Sequence, residues 1–425
     1  MAAVGLRLSR AARLTTRGAA LALVGAASIV VAYAAGRTEL LYLGVLTLLL
    51  PVLAAAFARF RRVSVAVARS FRPQVVGVGQ PTVVELEVSN TGALPTPELT
   101  WRDVRPWGGR ANATRPLPAL TVRRPTRPGT GVVRLRYEIV PPRRGEFPIG
   151  PLRVLLADPF GLARGEASVG DRDFLVVAPV IRELPDTGLA VLASDGASLL
   201  VRRSVGGDDD LSTREYRTGD AMRRVHWRAT ARHGELMVRQ EEPRSHAEAR
   251  VILDTRRSGY SDRVEGRHRT DPESESFELA VSIAASIALH LARGGFAVEF
   301  IETGARHLAP VSPPPPFLRS LATLELAAAD GDYPAGSPLS GTRPDRAHGS
   351  VFAVVADADP PTVERLVAQR AGFALAVAFV VTFRDSPQLE RLRAAGWTCV
   401  PVTLTDSVED AWRAVAEIHG SRHGR

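Results

Sequence analysis

Two uncharged runs near the start of the chain, Gly18 to Ala35 and Leu40 to Phe57, constrain its fold more than any other feature. At about 1.5 Å of rise per residue in a helix, each run is close to the length that crosses the hydrocarbon core of a bilayer. Only Gly36, Arg37, Thr38 and Glu39 separate them. So short a link predicts a tight helical hairpin. Arg7, Arg10, Arg13 and Arg17 precede the pair, and Arg59, Arg61 and Arg62 follow it. The positive-inside bias then places both flanks in the cytoplasm and the short turn outside, in a plasma-membrane protein with two spans and both termini cytoplasmic. A cleaved signal peptide also begins with basic residues and an apolar run, but here a second run with a basic trailing flank follows at once. Pro51 is tolerable inside a lipid-embedded helix.

The 425 residues carry 54 basic side chains against 45 acidic ones, a formal charge of +9, and every basic one is arginine. A chain without lysine cannot form a lysine Schiff base, anchor pyridoxal phosphate, build a Walker-type phosphate loop or use a Ser-Lys dyad. The lone Cys399 excludes an internal disulfide framework and any CxxC zinc site. The excess positive charge suggests an anionic partner, either nucleic acid or a lipid surface.

From Val63 to about Leu184 the pattern has period two. Val84, Leu86 and Val88 alternate with Glu85, Glu87 and Ser89, and Val133, Leu135, Tyr137 and Ile139 with Arg134, Arg136 and Glu138. Such alternation, punctuated by proline and glycine, predicts an all-β immunoglobulin-like sandwich. Beyond Arg250, apolar runs at Val251 to Asp254, Ala297 to Glu302, Val351 to Ala356, Phe373 to Val381 and Cys399 to Val402 alternate with amphipathic segments. Those segments run from Ser274 to Ala292, Pro361 to Gln369, Pro387 to Ala395 and Val408 to His419. This order predicts an α/β domain with a mostly parallel, Rossmann-type sheet covered on both faces. The apolar stretch Phe277 to Ala292 is interrupted by Glu278, Ser282, Ser286 and His290 and is expected as a buried soluble helix. Pro313 to Pro316 and the stretch 329–350 are expected as exposed loops. The divisions expected are a hairpin over 1–62, a sandwich over 63–184, a distinctive segment over 185–248 and the α/β domain over 249–425.

The distinctive run extends from Arg214 to Arg232 and includes Tyr216, Gly219, Asp220, Arg223, Trp227 and Arg228. Gly219 can supply a turn and Asp220 an N-cap, with helix-compatible composition from Ala221 to Arg232. The arginines either pair with Glu215, Asp220, Glu241 and Glu242 or form a surface for an anionic partner, since guanidinium forks suit carboxylate and phosphate. Trp227 stands alone among them, so the aromatic interleaving that serves nucleic acid is missing and no nucleic acid is expected.

The run Arg214 to Arg232, with Gly234 to Val238 and the strand from Val251 after it, resembles the signature of the domain-of-unknown-function 58 family. Arg144 to Gly150, Asp158 to Leu162 and Val177 to Val180 resemble that family's lead-in. The resemblance implies a membrane-anchored protein with a degenerate von Willebrand factor A-like domain. As partners it implies a MoxR-type AAA+ ATPase and a transglutaminase-like protein, and it brings no established catalytic activity.

An A-like domain also implies a metal question, because such sites use Asp-x-Ser-x-Ser after the first strand and a further Asp from a later one. Asp254, Ser258 and Asp357 are the candidate ligands, but Arg256 stands where the first serine is required. A cation there removes one oxygen and opposes a divalent ion, so no cofactor is expected. Asp208, Asp209 and Asp210 fit a solvated loop, His226 lacks a partner at a diagnostic spacing, and Gly77 to Gln80 is only a fragment of a glycine fingerprint. The leading expectation is a non-enzymatic, membrane-tethered scaffold or adaptor facing the cytoplasm. The alternative is a metal-dependent hydrolase or phosphoryl-transfer enzyme using Asp254 and Asp357.

Overall fold

A computed structural model describes residues 12–61, 64–107, 114–124, 129–187, 213–216, 222, 225, 227–239, 248–262, 274–304, 308–327, 348–356, 360–382 and 387–423. The chain divides into two compact units, 1–178 and 179–425.

The first unit opens with a short strand, β1 (Arg13–Leu14), and two helices, α1 (Thr16–Ala35) and α2 (Thr38–Phe60), both long and apolar enough to cross a membrane. Thr15 caps α1, its hydroxyl oxygen accepting from the Gly18 N–H at 3.2 Å, and Gly36 closes α1 with a left-handed φ of 64°. The helices touch through glycine. A Cβ on Gly25 would meet the Leu48 nitrogen at 2.8 Å and the Gly44 carbonyl at 2.9 Å, so the backbones approach as small residues allow. Large apolar side chains such as Leu23, Val30 and Leu46 point outward.

Ten further strands complete this unit: β2 (Val65–Arg72), β3 (Val75–Gly77), β4 (Thr82–Asn90), β5 (Leu99–Asp103), β6 (Arg115–Leu117), β7 (Val132–Ile139), β8 (Gly145–Ile149), β9 (Leu152–Ala157), β10 (Ala163–Val169) and β11 (Asp173–Ala178). They form sheets β1-β10-β9-β5-β6, β2-β4-β7 and β3-β11-β8, antiparallel except between β3 and β11. The alternation read along β4 holds: Val84, Leu86 and Val88 are fully buried and meet Trp101, Leu152, Val154, Ile149 and Leu175 from the other two sheets in one core. A buried polar knot joins the three sheets. Arg69 of β2 grips Asp103 of β5 with two bonds, at 2.7 and 2.9 Å, and Asp173 of β11 at 2.6 Å, while the Tyr137 hydroxyl of β7 donates to Asp103 at 2.5 Å. Burial, with the neighbouring Asp103 carboxylate, pushes the Tyr137 phenol far above its ordinary range.

The turn before β10 fastens the hairpin to the strands. Asp158 accepts from the Phe160 and Ala163 N–H groups at 2.8 and 2.5 Å, which folds Asp158 to Leu162 back on itself. The Gly161 and Leu162 carbonyls then accept from the Thr15 hydroxyl at 2.7 Å and the Thr15 N–H at 2.8 Å. Ala54 and Ala58 of α2 pack on Leu162 and Ala163.

The second unit is built on five parallel strands: β14 (Glu248–Leu253), β15 (Ala297–Glu302), β16 (His348–Ala356), β17 (Phe373–Val381) and β18 (Thr398–Val402), in the order β15-β14-β16-β17-β18. A small pair, β12 (Thr213–Glu215) and β13 (Met237–Arg239), precedes it, with α3 (Trp227–His233) between them in sequence. One face of the large sheet is covered by α4 (Glu275–Arg293), α5 (Pro314–Ala322) and α8 (Val408–His423), and the other by α6 (Pro360–Gln369) and α7 (Pro387–Ala394). The alternation of apolar runs and amphipathic segments therefore reads out strand by strand. The stretch Phe277 to Ala292 is a helix largely buried within this unit. Its serines hold the incoming chain: Ser282 donates to the Val180 carbonyl at 2.7 Å, and Ser286 accepts from the Arg182 N–H at 3.0 Å.

Three local expectations are corrected. The stretch 329–350 runs into β16 from His348 on, and 329–347 lie outside the described residues. Pro314, Pro315 and Pro316 form the first turn of α5 and are not a loop, because a first helical turn needs no internal N–H partner and proline presets its φ; Phe317 and Leu321 anchor it in the core. The helix expected over 221–232 starts only at Trp227, since Val225 is drawn into a bridge with Val238 and buried there.

Candidate functional site

Strands β14 and β16 are neighbours, yet the helix that follows β14, α4, lies on one face of the sheet and the helix that follows β16, α6, on the other. Chains that part in this way leave a crevice at the carboxyl ends of the two strands, where open α/β sheets bind ligands. Asp254 and Thr255 leave β14 at this point, and Glu302, Thr303 and Gly304 leave β15 beside them.

These groups are buried and bonded to one another. One Asp254 oxygen accepts from the Thr303 hydroxyl at 2.7 Å and from the Arg256 N–H at 3.1 Å. The Thr255 hydroxyl donates to Glu302 at 2.8 Å and accepts from the Gly304 N–H at 2.9 Å, while the Thr255 N–H donates to Thr303 at 2.9 Å. Tyr260 folds back, donating its hydroxyl to the Asp254 carbonyl at 2.5 Å. A Cβ on Gly259 would stand 3.0 Å from the second Asp254 oxygen, so glycine lets the chain close over the carboxylate. Farther along, Asp262 receives the Ser274 hydroxyl at 2.6 Å and the Ser276 N–H at 2.9 Å, pinning the start of α4. Burial would raise the Asp262 pKa, but these hydrogen bonds outweigh it and hold the carboxyl below its usual range.

Of the candidate ligands, Asp254 is at the crevice and Ser258 lies exposed on the 3-10 turn Arg257–Gly259; Asp357 falls outside the described residues, as does the trio 208–210. Among the described residues no group of three His, Cys, Asp or Glu side chains is poised for an ion. One Asp254 oxygen is already taken by two protein donors, and Arg256 is buried beside it. The donor set fits a closed hydrogen-bond knot better than a metal site. Glu302 and Thr303 were missed in the sequence. Their signal is a polar pair ending an apolar strand, legible only once β15 is known to lie beside β14.

In the signature segment, Arg214 and Glu215 of β12 pair with Val238 and Met237 of β13, and the Tyr216 N–H continues the pairing to the Leu236 carbonyl at 2.8 Å. Thr230 of α3 ties the helix to β13 by accepting from the Met237 N–H at 3.0 Å. Trp227 is 65% exposed at the first residue of α3. Gly219, Asp220, Arg223 and His226 lie outside the described residues, and Arg228 is described only as part of α3.

No curated protein matches the chain. Among solved structures, the chain is similar to the CARDB domain of a Pyrococcus furiosus protein, crystallised in complex with di-metal ions. The match has 15% identity over 26% of this chain and 88% of that one, with a TM-score of 0.17. The solution structure of the same domain matches at 14% identity over 25% and 93%, with a TM-score of 0.16. A Pseudomonas fluorescens alkylpurine DNA glycosylase, AlkC, bound to DNA containing an abasic site analogue, matches at 11% identity over 33% and 38%, with a TM-score of 0.18. TM-scores this low carry nothing about fold or function. The family comparison is more specific, because it falls on the signature segment, the knot at the end of β14 and the elements through α5: residues 212–329 match the family model described as "Protein of unknown function DUF58".

Proposed function

We propose that the chain is a membrane-anchored scaffold without catalytic activity, presenting an immunoglobulin-like sandwich and a von Willebrand factor A-like domain on the cytoplasmic side of the plasma membrane. The observation that carries this reading is the join between hairpin and strands. Thr15 is bonded to Gly161 and Leu162, and Ala54 and Ala58 pack on Leu162 and Ala163. A hairpin fused in this way holds the sandwich in a fixed orientation at the end of two membrane-length helices. The scaffold reading is supported at the crevice by carboxylates and hydroxyls that serve one another. The A-like reading rests on a parallel, doubly covered sheet whose strand β14 is followed at once by Asp254.

The partner we propose is a MoxR-type AAA+ ATPase, with a transglutaminase-like protein as a further associate. The support is the family's expected company together with the arginine-bearing signature segment and its exposed Trp227. Mild crosslinking of native membranes followed by purification of the full chain should recover an AAA+ protein, and Trp227→Ala with Arg228→Glu should cut that recovery at least tenfold. Recovery of no AAA+ protein, or equal recovery with the variant, contradicts the partnership.

A further inference from the structure

Where α1 meets the sandwich, the outer face of β1-β10-β9-β5 forms an open pocket of about 640 Å³. Its charge is lopsided. Arg13, Arg102, Arg153 and Arg164 line it, and Glu166 is its sole acid. The strand register explains the clustering. Arg13 stands directly across from Arg164, Arg153 from Ser168, and Arg102 from Arg153, so all four guanidinium groups emerge on the face opposite the core-facing Trp101, Leu152 and Val154. Glu166 is already shared, taking Arg102 at 2.8 Å and Arg153 at 3.2 Å, and its pKa is held low by those two arginines against the opposing effect of burial.

That leaves Arg13 and Arg164 as a like-charged cross-strand pair with no carboxylate partner among the described residues. Two cations facing each other across a strand pair destabilise it unless an anion lies between them. Guanidinium forks bind a phosphate diester with two parallel bonds each. Position selects the source of that phosphate. Thr15 and Thr16, which also line the pocket, are the cap and first residue of a helix long enough to span a bilayer. Two outward aromatic rings mark the same level: Phe160, 70% exposed on the turn that holds Thr15, and Phe60, 75% exposed at the last residue of α2. Aromatic rings of this kind collect at the headgroup layer.

We infer that this pocket binds the phosphate headgroup of an anionic phospholipid, clamped chiefly by Arg13 and Arg164. The inference rests on the hairpin being a membrane anchor. Bound lipid would bridge β1 to β10 and so lock the sandwich to the membrane surface.

The test uses the full chain in a non-ionic detergent, with thermal midpoint as the readout, titrated separately with phosphatidylglycerol, phosphatidylcholine and inorganic phosphate. Phosphatidylglycerol should raise the midpoint saturably and the other two should not. Arg13→Gln with Arg164→Gln should weaken the apparent phosphatidylglycerol affinity about tenfold. In detergent without lipid, the same variant should melt higher than the parent, because the like-charge pair is gone. Equal effects of phosphatidylglycerol and phosphatidylcholine, equal effects of phosphatidylglycerol and phosphate, or unchanged affinity in the variant would each overturn the inference. Should the variant fail to fold, the comparison of three ligands on the parent still decides. Alkaline carbonate separates the two levels: a chain stripped from membranes defeats the anchor, whereas a chain that resists carbonate but shows no lipid preference defeats only the headgroup site.

Discussion

Asp103 and Asp254 are both buried carboxylates, and each is held by donors from more than one strand or loop. For Asp103 the chief partner is a cation with no exposed side-chain surface, Arg69, so the pair is costly to create and more costly to break. Asp103→Ala leaves that guanidinium with Asp173 and the Asp171 carbonyl and should lower stability by about 3–5 kcal/mol, read as a drop in the thermal midpoint of the full chain. A loss below about 1 kcal/mol would show that water replaces the carboxylate. Neither partner choice is legible from the sequence. Arg69, Asp103, Tyr137 and Asp173 are far apart along the chain, and only the closing of three sheets brings them together.

At the level of elements, patterns that depend on near neighbours survive folding almost unchanged. The two uncharged runs became α1 and α2, the period-two alternation at Val84 to Val88 became β4, and the run Phe373 to Val381 is β17 residue for residue. What failed depends on contacts between elements: the proline helix α5 is held by Phe317 and Leu321 in the core, and the late start of α3 follows from the Val225 bridge. The helix contact in the hairpin is of this second kind as well. Gly25 and Gly44 are unremarkable letters in an apolar run until α1 and α2 lie side by side. Gly25→Leu should force the helices apart, since a side chain there meets the backbone of Leu48 and Gly44, and should lower the thermal midpoint of the full chain in detergent. A midpoint equal to the parent's would mean that the backbones do not approach there.

For the molecule as a whole, arginine without lysine divides into separate tasks. Some arginines bracket the hairpin, Arg69 and its partners close the sandwich, and Arg13, Arg102, Arg153 and Arg164 gather at the end of α1. Net charge alone could not distinguish these uses, because it says nothing of which strands become neighbours. The candidate crevice was legible to the same limited extent: Asp254 was marked by ending an apolar run, whereas Glu302 and Thr303 needed the parallel pairing of β14 with β15. The central claim is a hairpin anchor with all else on the cytoplasmic side. Its most direct measurement is cysteine labelling in intact cells with a membrane-impermeant maleimide, after Cys399→Ser, using Thr38→Cys in the turn and Glu417→Cys on α8. The account predicts that position 38 labels in intact cells and position 417 only after the membrane is opened. Labelling of position 417 in intact cells, or protection of both positions until lysis, would contradict it.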